Sequence, residues 1–317
     1  TPALTTRGMK EYDFLQVGQF LIESFELCEK IQEKSGKKLI NFKKSMDEDF
    51  KDEIEVALKL IKYSEPDKRK KTIFVWPEGV FLSKNFDQKK EIKDLFIKSF
   101  SKNHLIILGA NTSKSTSSGE KYFNSMIVVD ENFSFISKYD KKKLVPFGEF
   151  LPFEKILNSI GLKKITPGYA SFSKGTGESI INIKFDSENI NFLSLICYEI
   201  IFSNFIDKYD KFNLIINISE DAWFGESIGP HQHFAKAIFR SIESSVYTIR
   251  SANKGVSAFI SPEGKILKNL QPDEIGNIEL SIPMLEKSKK QSKKDLIFLL
   301  LLITYIFTFF VLRKFKI

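Results

Sequence analysis

The sequence predicts an α/β protein with mixed sheets and helices on their outer faces, and three observations predict it. Short apolar runs, such as residues 72–80 (TIFVWPEGV), 105–110 (LIILGA) and 192–200 (FLSLICYEI), stop at Pro, Gly or charged residues, as buried strands do. Between such runs apolar residues recur at helical spacing, as Ile92, Leu95, Phe96 and Phe100 do. Adjacent strand pairs are also frequent, so antiparallel hairpins must accompany parallel crossovers. With 317 residues and 42% hydrophobic content, the chain can bury a large core and lies outside the disordered class.

Taken in order, residues 1–71 form a divergent N-terminal segment, partly helical. Phe14, Leu15, Val17, Phe20, Leu21, Phe25 and Leu27 give residues 1–30 an amphipathic helical pattern, and Ile54, Val56, Leu58, Leu60 and Ile61 close a charged helical stretch. The strand at 72–80 stops at Pro77 and delivers Glu78 just past its end. A helix then leads to the strand 105–110, and the Ser-rich NTSKSTSSGEK after it reads as a loop. FNSMIVVD and FSFISKYD form a strand pair about Glu131 and Asn132, and KKKLVPFGEFLPFE follows with Lys141 at its start. In the second half SIINIKF and INFLSLICYEI are adjacent strands and NLIINISED is a third. HFAKAIFRSIESSVYTIRSA is a helix running into a strand, and GVSAFISPEGKIL is two short strands about the Pro262–Gly264 turn. IGNIELSIP is expected to be the last strand of a domain covering 72–285.

After that domain come a basic linker (286–295), an uncharged run at 296–312 (LIFLLLLITYIFTFFVL) and a basic tail (313–317). The uncharged run has 17 residues and no polar face, which predicts a transmembrane helix at the short end of the usual length. Lysines and arginine flank it on both sides, so the positive-inside rule gives no orientation. The chain opens on Thr1 without a signal-peptide pattern, which reads as a piece of a longer protein.

The net charge of +8 could suit nucleic acid or an anionic membrane. Its lysines are spread along the chain and no nucleic-acid-binding signature appears, so nucleic acid is set aside. No Gly-rich phosphate loop is present, and no cofactor is called for. Two cysteines, Cys28 and Cys197, make no disulfide framework, and the three histidines, His104, His231 and His233, do not sit in surroundings that suggest zinc.

Three polar residues stand where apolar strands stop: Glu78, Lys141 and Cys197. Each has an ordinary explanation, as a loop acid, one of three adjacent lysines and a small buried hydrophobe. Together they offer a nucleophile, a base for its proton and a positive charge for an oxyanion. His231 and His233 are distant in sequence but could also reach the thiol through the fold.

Five segments then carry a resemblance: WPEG, YDKKKLVPFGEFLPFE, LICYE, ISEDAWFGESIGPHQHF and RSIESSVYTIRSANKGVSAFISPEG. Over residues 72–283 and the final apolar run, the chain resembles the apolipoprotein N-acyltransferases, membrane members of the nitrilase superfamily. The Glu, Lys, Cys order is shared across that superfamily, whereas LVPFGE and the DAWFG run are not shared by its ordinary amidases. The resemblance implies a nitrilase-like four-layer α-β-β-α sandwich. It casts Glu78 as general base, Lys141 as oxyanion stabiliser and Cys197 as nucleophile, with Glu149, Tyr198 and Glu199 as supporting residues. It further implies a phospholipid acyl donor, a Cys197 thioester, and a diacylglyceryl-cysteine apolipoprotein as acceptor. The site would belong to a bacterial inner membrane protein with its catalytic domain facing the periplasm.

Trp223 is assigned to a substrate pocket, and Phe147, Phe150 and Phe153 add apolar surface near the triad loops. His233 and Arg240 are read as structural supports, and Cys28 has no counterpart in the family. The chain departs from the family in lacking the preceding transmembrane helices and in residues 31–42 (IQEKSGKKLINF), which do not reproduce the usual first strand and loop. Two other readings stay open: a nitrilase-type amidase acting on a small amide, and an inactive membrane-anchored domain.

Overall fold

The computed structural model describes residues 53–83, 90–117, 119–152, 171–209, 211–225, 227–272, 274–285 and 294–314. Expectations for residues 1–30 and 31–42, for Cys28 and Phe153, and for most of the linker and tail lie outside the described residues. The chain divides into two compact units, Thr1–Glu286 and Lys287–Ile317.

Among the described residues, two sheets build the first unit. After α1 (Glu53–Ser64), β1 (Thr72–Val75) pairs in parallel with β2 (His104–Thr116), with α2 (Lys90–Ser99) between them in sequence. Antiparallel pairing then adds β3 (Gly119–Val129) and β4 (Phe135–Asp140), giving the order β1-β2-β3-β4. The second sheet comprises β5 (Ile180–Phe185), β6 (Glu188–Ile196), β7 (Leu214–Glu220), β8 (Tyr247–Asn253), β9 (Ser257–Ile260) and β10 (Ile266–Leu270), in the order β10-β9-β8-β7-β6-β5. Its centre, β6, β7 and β8, is parallel and therefore needs crossovers. A 3₁₀ turn (Cys197–Ile201) and α3 (Ser203–Ile206) supply the first, and α4 (Gly229–Ser244) supplies the second.

Period-two alternation sorts the strand side chains into three apolar seams. Ile106 and Leu108 face Ala57, Ile92 and Phe96 of the first helices. Leu105 and Ile107, on the opposite face of β2, meet Phe192, Ile216 and Ile218 of the other sheet. Leu193, Leu195 and Ile215 turn outward onto Phe205, Phe234 and Ala237. Three seams separate four layers, α-β-β-α, as the resemblance implied. Each buried aliphatic or Phe side chain contributes about 1.5–3 kcal/mol, so these seams hold the layers together.

Two local expectations are corrected. NTSKSTSSGEK is not a loop: β2 continues to Thr116 and β3 resumes at Gly119, paired residue for residue. Its Ser and Thr residues suit a paired strand once a partner is supplied, and Gly119 takes the left-handed φ of 116° at the tip. IGNIELSIP forms no strand; its contacts run through side chains instead, with Glu279 O accepting from Lys268 Nζ at 2.7 Å and Asn277 Nδ2 donating to Tyr63 O at 2.6 Å.

The second unit contains α5 (Lys294–Lys314), so the run 296–312 is helical. Among the described residues, however, no helix is long and apolar enough to cross a membrane. An uncharged run of 17 residues gives about 26 Å of helix at 1.5 Å per residue, against a hydrocarbon core of about 30 Å.

Candidate active site

The loop after β1 is fastened to β2, and this places Glu78. Trp76 N donates to Ile107 O at 2.8 Å, Gly109 N to Pro77 O at 3.1 Å and Val80 N to Gly109 O at 3.0 Å. Only glycine fits at position 109, since a Cβ there would lie 2.5 Å from the Glu78 Cα. Lys141 directly follows β4 and extends its ladder by one bond, N to Asn124 O at 2.9 Å. Its side chain is 1% exposed, with Nζ 2.9 Å from Glu149 Oε1 and 3.4 Å from Glu78 Oε1. Asn124 on β3 joins the two acids, because its Nδ2 donates to Glu78 Oε1 and to Glu149 Oε1 at 2.7 Å each. The remaining oxygens are also occupied: Glu220 N donates to Glu78 Oε2 and Val145 N to Glu149 Oε2, both at 2.8 Å.

Burial works to lower the Lys141 ammonium, but the charges of Glu78, Glu149 and Cys197 outweigh it and hold it above the ordinary lysine range. Lys141 is therefore a fixed positive charge rather than a proton donor.

Cys197 follows β6 at once and takes a left-handed φ of 48°, a strained conformation for a residue with a Cβ. Burial pushes its thiol up to about 12, and the Glu78 charge adds to the rise while Lys141 and a hydrogen bond with Ser219 oppose it. At rest the thiol is neutral, and a base must take its proton when it reacts.

Glu199, two residues on, is fully buried and points into the fold. Its Oε1 accepts from Tyr139 Oη at 2.7 Å, Lys142 N at 2.8 Å and Lys143 N at 2.9 Å, and its Oε2 accepts from Ile196 N at 2.9 Å. One carboxylate thus ties the segment after Lys141 to the turn that carries Cys197. Burial raises Glu199, and its backbone donors oppose the rise. Tyr139 is also raised, by burial and then by the Glu199 charge. Tyr198 packs its ring edge-on against Phe202, 4.9 Å between centroids.

Beneath the turn lies a polar network. Asp221, just past β7, accepts from Ser219 Oγ at 2.6 Å and Arg250 Nη2 at 2.6 Å, and its Oδ1 lies 2.9 Å from His233 Nδ1. Burial would raise Asp221, but His233 and Arg250 hold it down at about 2. The other ring nitrogen of His233, Nε2, donates to the Cys197 carbonyl oxygen at 3.1 Å. Arg240 lies on the same helix and pairs with Glu243 at 3.1 Å.

Trp223 sits in a short 3₁₀ turn (Ala222–Phe224), 55% exposed, with Phe224 at 40% beside it. Phe147 is 48% exposed on a loop where its φ is +64°. Phe150 is half-buried.

Among the described residues, Cys197, Asp221 and His233 have potential ligand atoms within 4.8 Å of one another. They do not suit a metal ion, because both ring nitrogens of His233 are engaged and Arg250 already supplies the cation facing Asp221. His104 lies apart from this group, its Nε2 3.0 Å from Asp67 O.

Sequence reasoning missed Asn124, Ser219, Asp221 and Arg250. A signal was present: Asn217, Ser219 and Asp221 recur with period two in an otherwise apolar strand, which marks one polar face.

A model of the family described as carbon-nitrogen hydrolase matches residues 69–288. The apolipoprotein N-acyltransferase of Rhizobium leguminosarum bv. trifolii is 35% identical over 220 residues, covering 68% of this chain and 40% of its own length. That of Rickettsia typhi is 33% identical over 214 residues, 67% of this chain and 42% of its own. Saccharomyces cerevisiae Nit3, a solved member of the nitrilase superfamily, aligns with a TM-score of 0.48 and 18% identity, over 70% of this chain and 81% of that one. The chain spans about 40% of the length of the curated relatives it matches.

Proposed function

The chain belongs to the carbon-nitrogen hydrolase family, and from that premise we propose that it is an apolipoprotein N-acyltransferase with Glu78, Lys141 and Cys197 as its catalytic residues. The observation that carries the reading is the buried pairing of Lys141 with Glu78 and Glu149 within electrostatic reach of a strained cysteine at the end of β6. The substrate comes from the similarity to the named relatives. The exposure of Phe147, of Trp223 and of Phe224 supports it, since acyl chains need apolar contacts.

In the first half-reaction Glu78 takes the thiol proton and the Cys197 sulfur attacks an ester carbonyl of a phospholipid. Lys141 and the Tyr198 backbone N–H stabilise the oxyanion. The intermediate collapses to a Cys197 thioester, and the leaving alkoxide takes the proton from Glu78 and departs as a lysophospholipid. In the second, the N-terminal amine of a diacylglyceryl-cysteine attacks the thioester, Glu78 takes the amine proton, and that proton returns to the departing thiolate. A thioester stores the acyl group in a form that an amine attacks readily. Glu149 and Asn124 hold Lys141 and Glu78 in register, and Glu199 holds the nucleophile turn.

Residues 72–285 are the catalytic domain in this reading. In the same reading the uncharged run 296–312 inserts in the bacterial inner membrane, with the domain facing the periplasm. The test is intact-mass analysis after incubation of the membrane-inserted chain with phosphatidylethanolamine. A hydroxylamine-sensitive acyl adduct on the wild type, absent from Cys197→Ala, is expected. A folded wild type that gains no adduct overturns the reading, and turnover of a simple amide in its place would select the amidase.

A further inference from the structure

We propose that His233 is a positioning residue that aims the oxyanion donor, acting through the peptide bond between Cys197 and Tyr198. The inference deepens the reading above and rests on Cys197 being the nucleophile.

The trio Cys197, His233 and Asp221 looks at first like a thiol with its own histidine base. The hydrogen bonds argue otherwise. His233 Nδ1 faces Asp221 Oδ1 at 2.9 Å and Nε2 faces the Cys197 carbonyl oxygen at 3.1 Å. A carbonyl oxygen can only accept, so Nε2 carries the hydrogen it shares with Cys197, while Nδ1 is enclosed by Asp221 Oδ1 and by Arg250 Nη2 at 3.3 Å, so neither ring nitrogen is turned to the thiol. What His233 grips is the backbone of the nucleophile, not its sulfur.

That grip has a directional consequence. The Cys197–Tyr198 peptide is planar and trans, so its carbonyl and its N–H point in opposite directions. Drawing the carbonyl toward α4 turns the Tyr198 N–H away from α4. The same bond restrains Cys197 at its unfavourable φ of 48°, which left alone would relax. Glu199 restrains the turn from the preceding side by accepting from Ile196 N at 2.9 Å. His233 is the matching restraint on the following side.

The ring is itself held firmly. Asp221 is fully buried and is fixed by Arg250, whose Nη1 bonds Asn217 and whose Nε donates to Val256 O at 3.2 Å. A Cβ at position 255 would fall 2.1 Å from Asp221 Oδ2, so Gly255 is needed for the carboxylate to sit there. A chain of restraints therefore runs from β8 through Asp221 and His233 to the peptide bond that carries the donor.

The test compares His233→Leu, which removes the donor, with His233→Gln, whose amide nitrogen can take the place of Nε2. In the full chain carrying Cys28→Ser, cysteine labelled with ¹³C at the carbonyl reports the Cys197 carbonyl alone. An upfield displacement in the leucine variant and a return toward the wild-type position in the glutamine variant are expected. Acylation by p-nitrophenyl acetate, which needs neither lipid nor lipoprotein, gives the functional arm. Its saturating rate constant should fall about 10–100-fold in the leucine variant, part of the 10²–10³ that a lost oxyanion donor costs. KM should change little, and the glutamine variant should recover most of the rate. An unmoved carbonyl resonance in the leucine variant overturns the proposal, as does a folded glutamine variant as slow as leucine. If the leucine variant does not fold, His233→Asn replaces it, since its shorter amide cannot reach the carbonyl. The carbonyl arm decides the matter even where acyl transfer to lipoprotein proves absent, so the two readings fail separately.

Discussion

Two carboxylates and one ammonium crowd the thiol of Cys197, and the excess negative charge separates two quantities that usually move together. The Glu78 charge is one of the causes that raise the thiol. Removing it in Glu78→Gln should lower the titration midpoint from about 12, so at a fixed pH near 9 more thiolate is present. Alkylation of Cys197 by iodoacetamide should therefore speed up, while enzymatic acylation falls about 10²–10⁴-fold for want of a base. A slower alkylation in that variant would mean that Glu78 supports the thiolate instead of opposing it. Asp221 gives a second consequence at this scale. Its folded value of about 2 lies below the ordinary 3.8, so its contribution is present in full above about pH 4 and is lost as pH falls toward 2. The difference corresponds to about 2–3 kcal/mol. Urea unfolding at a series of pH values should show that loss in the wild type and a flatter acid limb in Asp221→Asn.

At the scale of elements, the site depends on how closely loops approach strands. A methyl at Gly109 would lie 2.5 Å from the Glu78 Cα and 2.7 Å from Gly79 N, both backbone atoms that cannot step aside. Gly109→Ala should cost about 1–3 kcal/mol by overpacking and pull Glu78 off Asn124. A lower urea midpoint together with lost acylation is expected, and an alanine variant with wild-type activity would show that the Glu78 loop tolerates displacement. The same dependence explains what could be read without coordinates. Strands bounded by the apolar seams were legible, because alternation and apolar runs record burial directly. NTSKSTSSGEK was not, since its strand character comes from pairing with β3 and not from its own residues. Glu78, Lys141 and Cys197 stood out as polar residues at strand ends. Asn124, Asp221 and Arg250 did not, because each acts through a partner far along the chain, as Arg250 does through Asp221.

Over the whole molecule, the apolar composition of α5 governs where the helix can reside. Leu, Ile and Phe surround its axis on every side, so the helix has no polar face with which to lie flat at an interface. Each such side chain gains about 1.5–3 kcal/mol on leaving water, and together they far exceed what a free helix in water could sustain. The shortfall of about 4 Å against a hydrocarbon core of about 30 Å is small enough for snorkelling lysines and local thinning of the bilayer to absorb. In sequence, Lys293 and Lys294 precede the run and Arg313 and Lys314 follow it, residue types that can snorkel. The full chain should therefore stay with membranes through alkaline carbonate extraction. A single Leu302→Arg near the middle of the run should weaken insertion by about 2.5–3.5 kcal/mol and move a measurable fraction into the supernatant. Unchanged fractionation of the arginine variant would mean that α5 is not what holds the protein to the membrane. In the proposed reading, contact with lipid would then fall to exposed aromatic residues such as Trp223, and Trp223→Ala would become the variant that releases the chain.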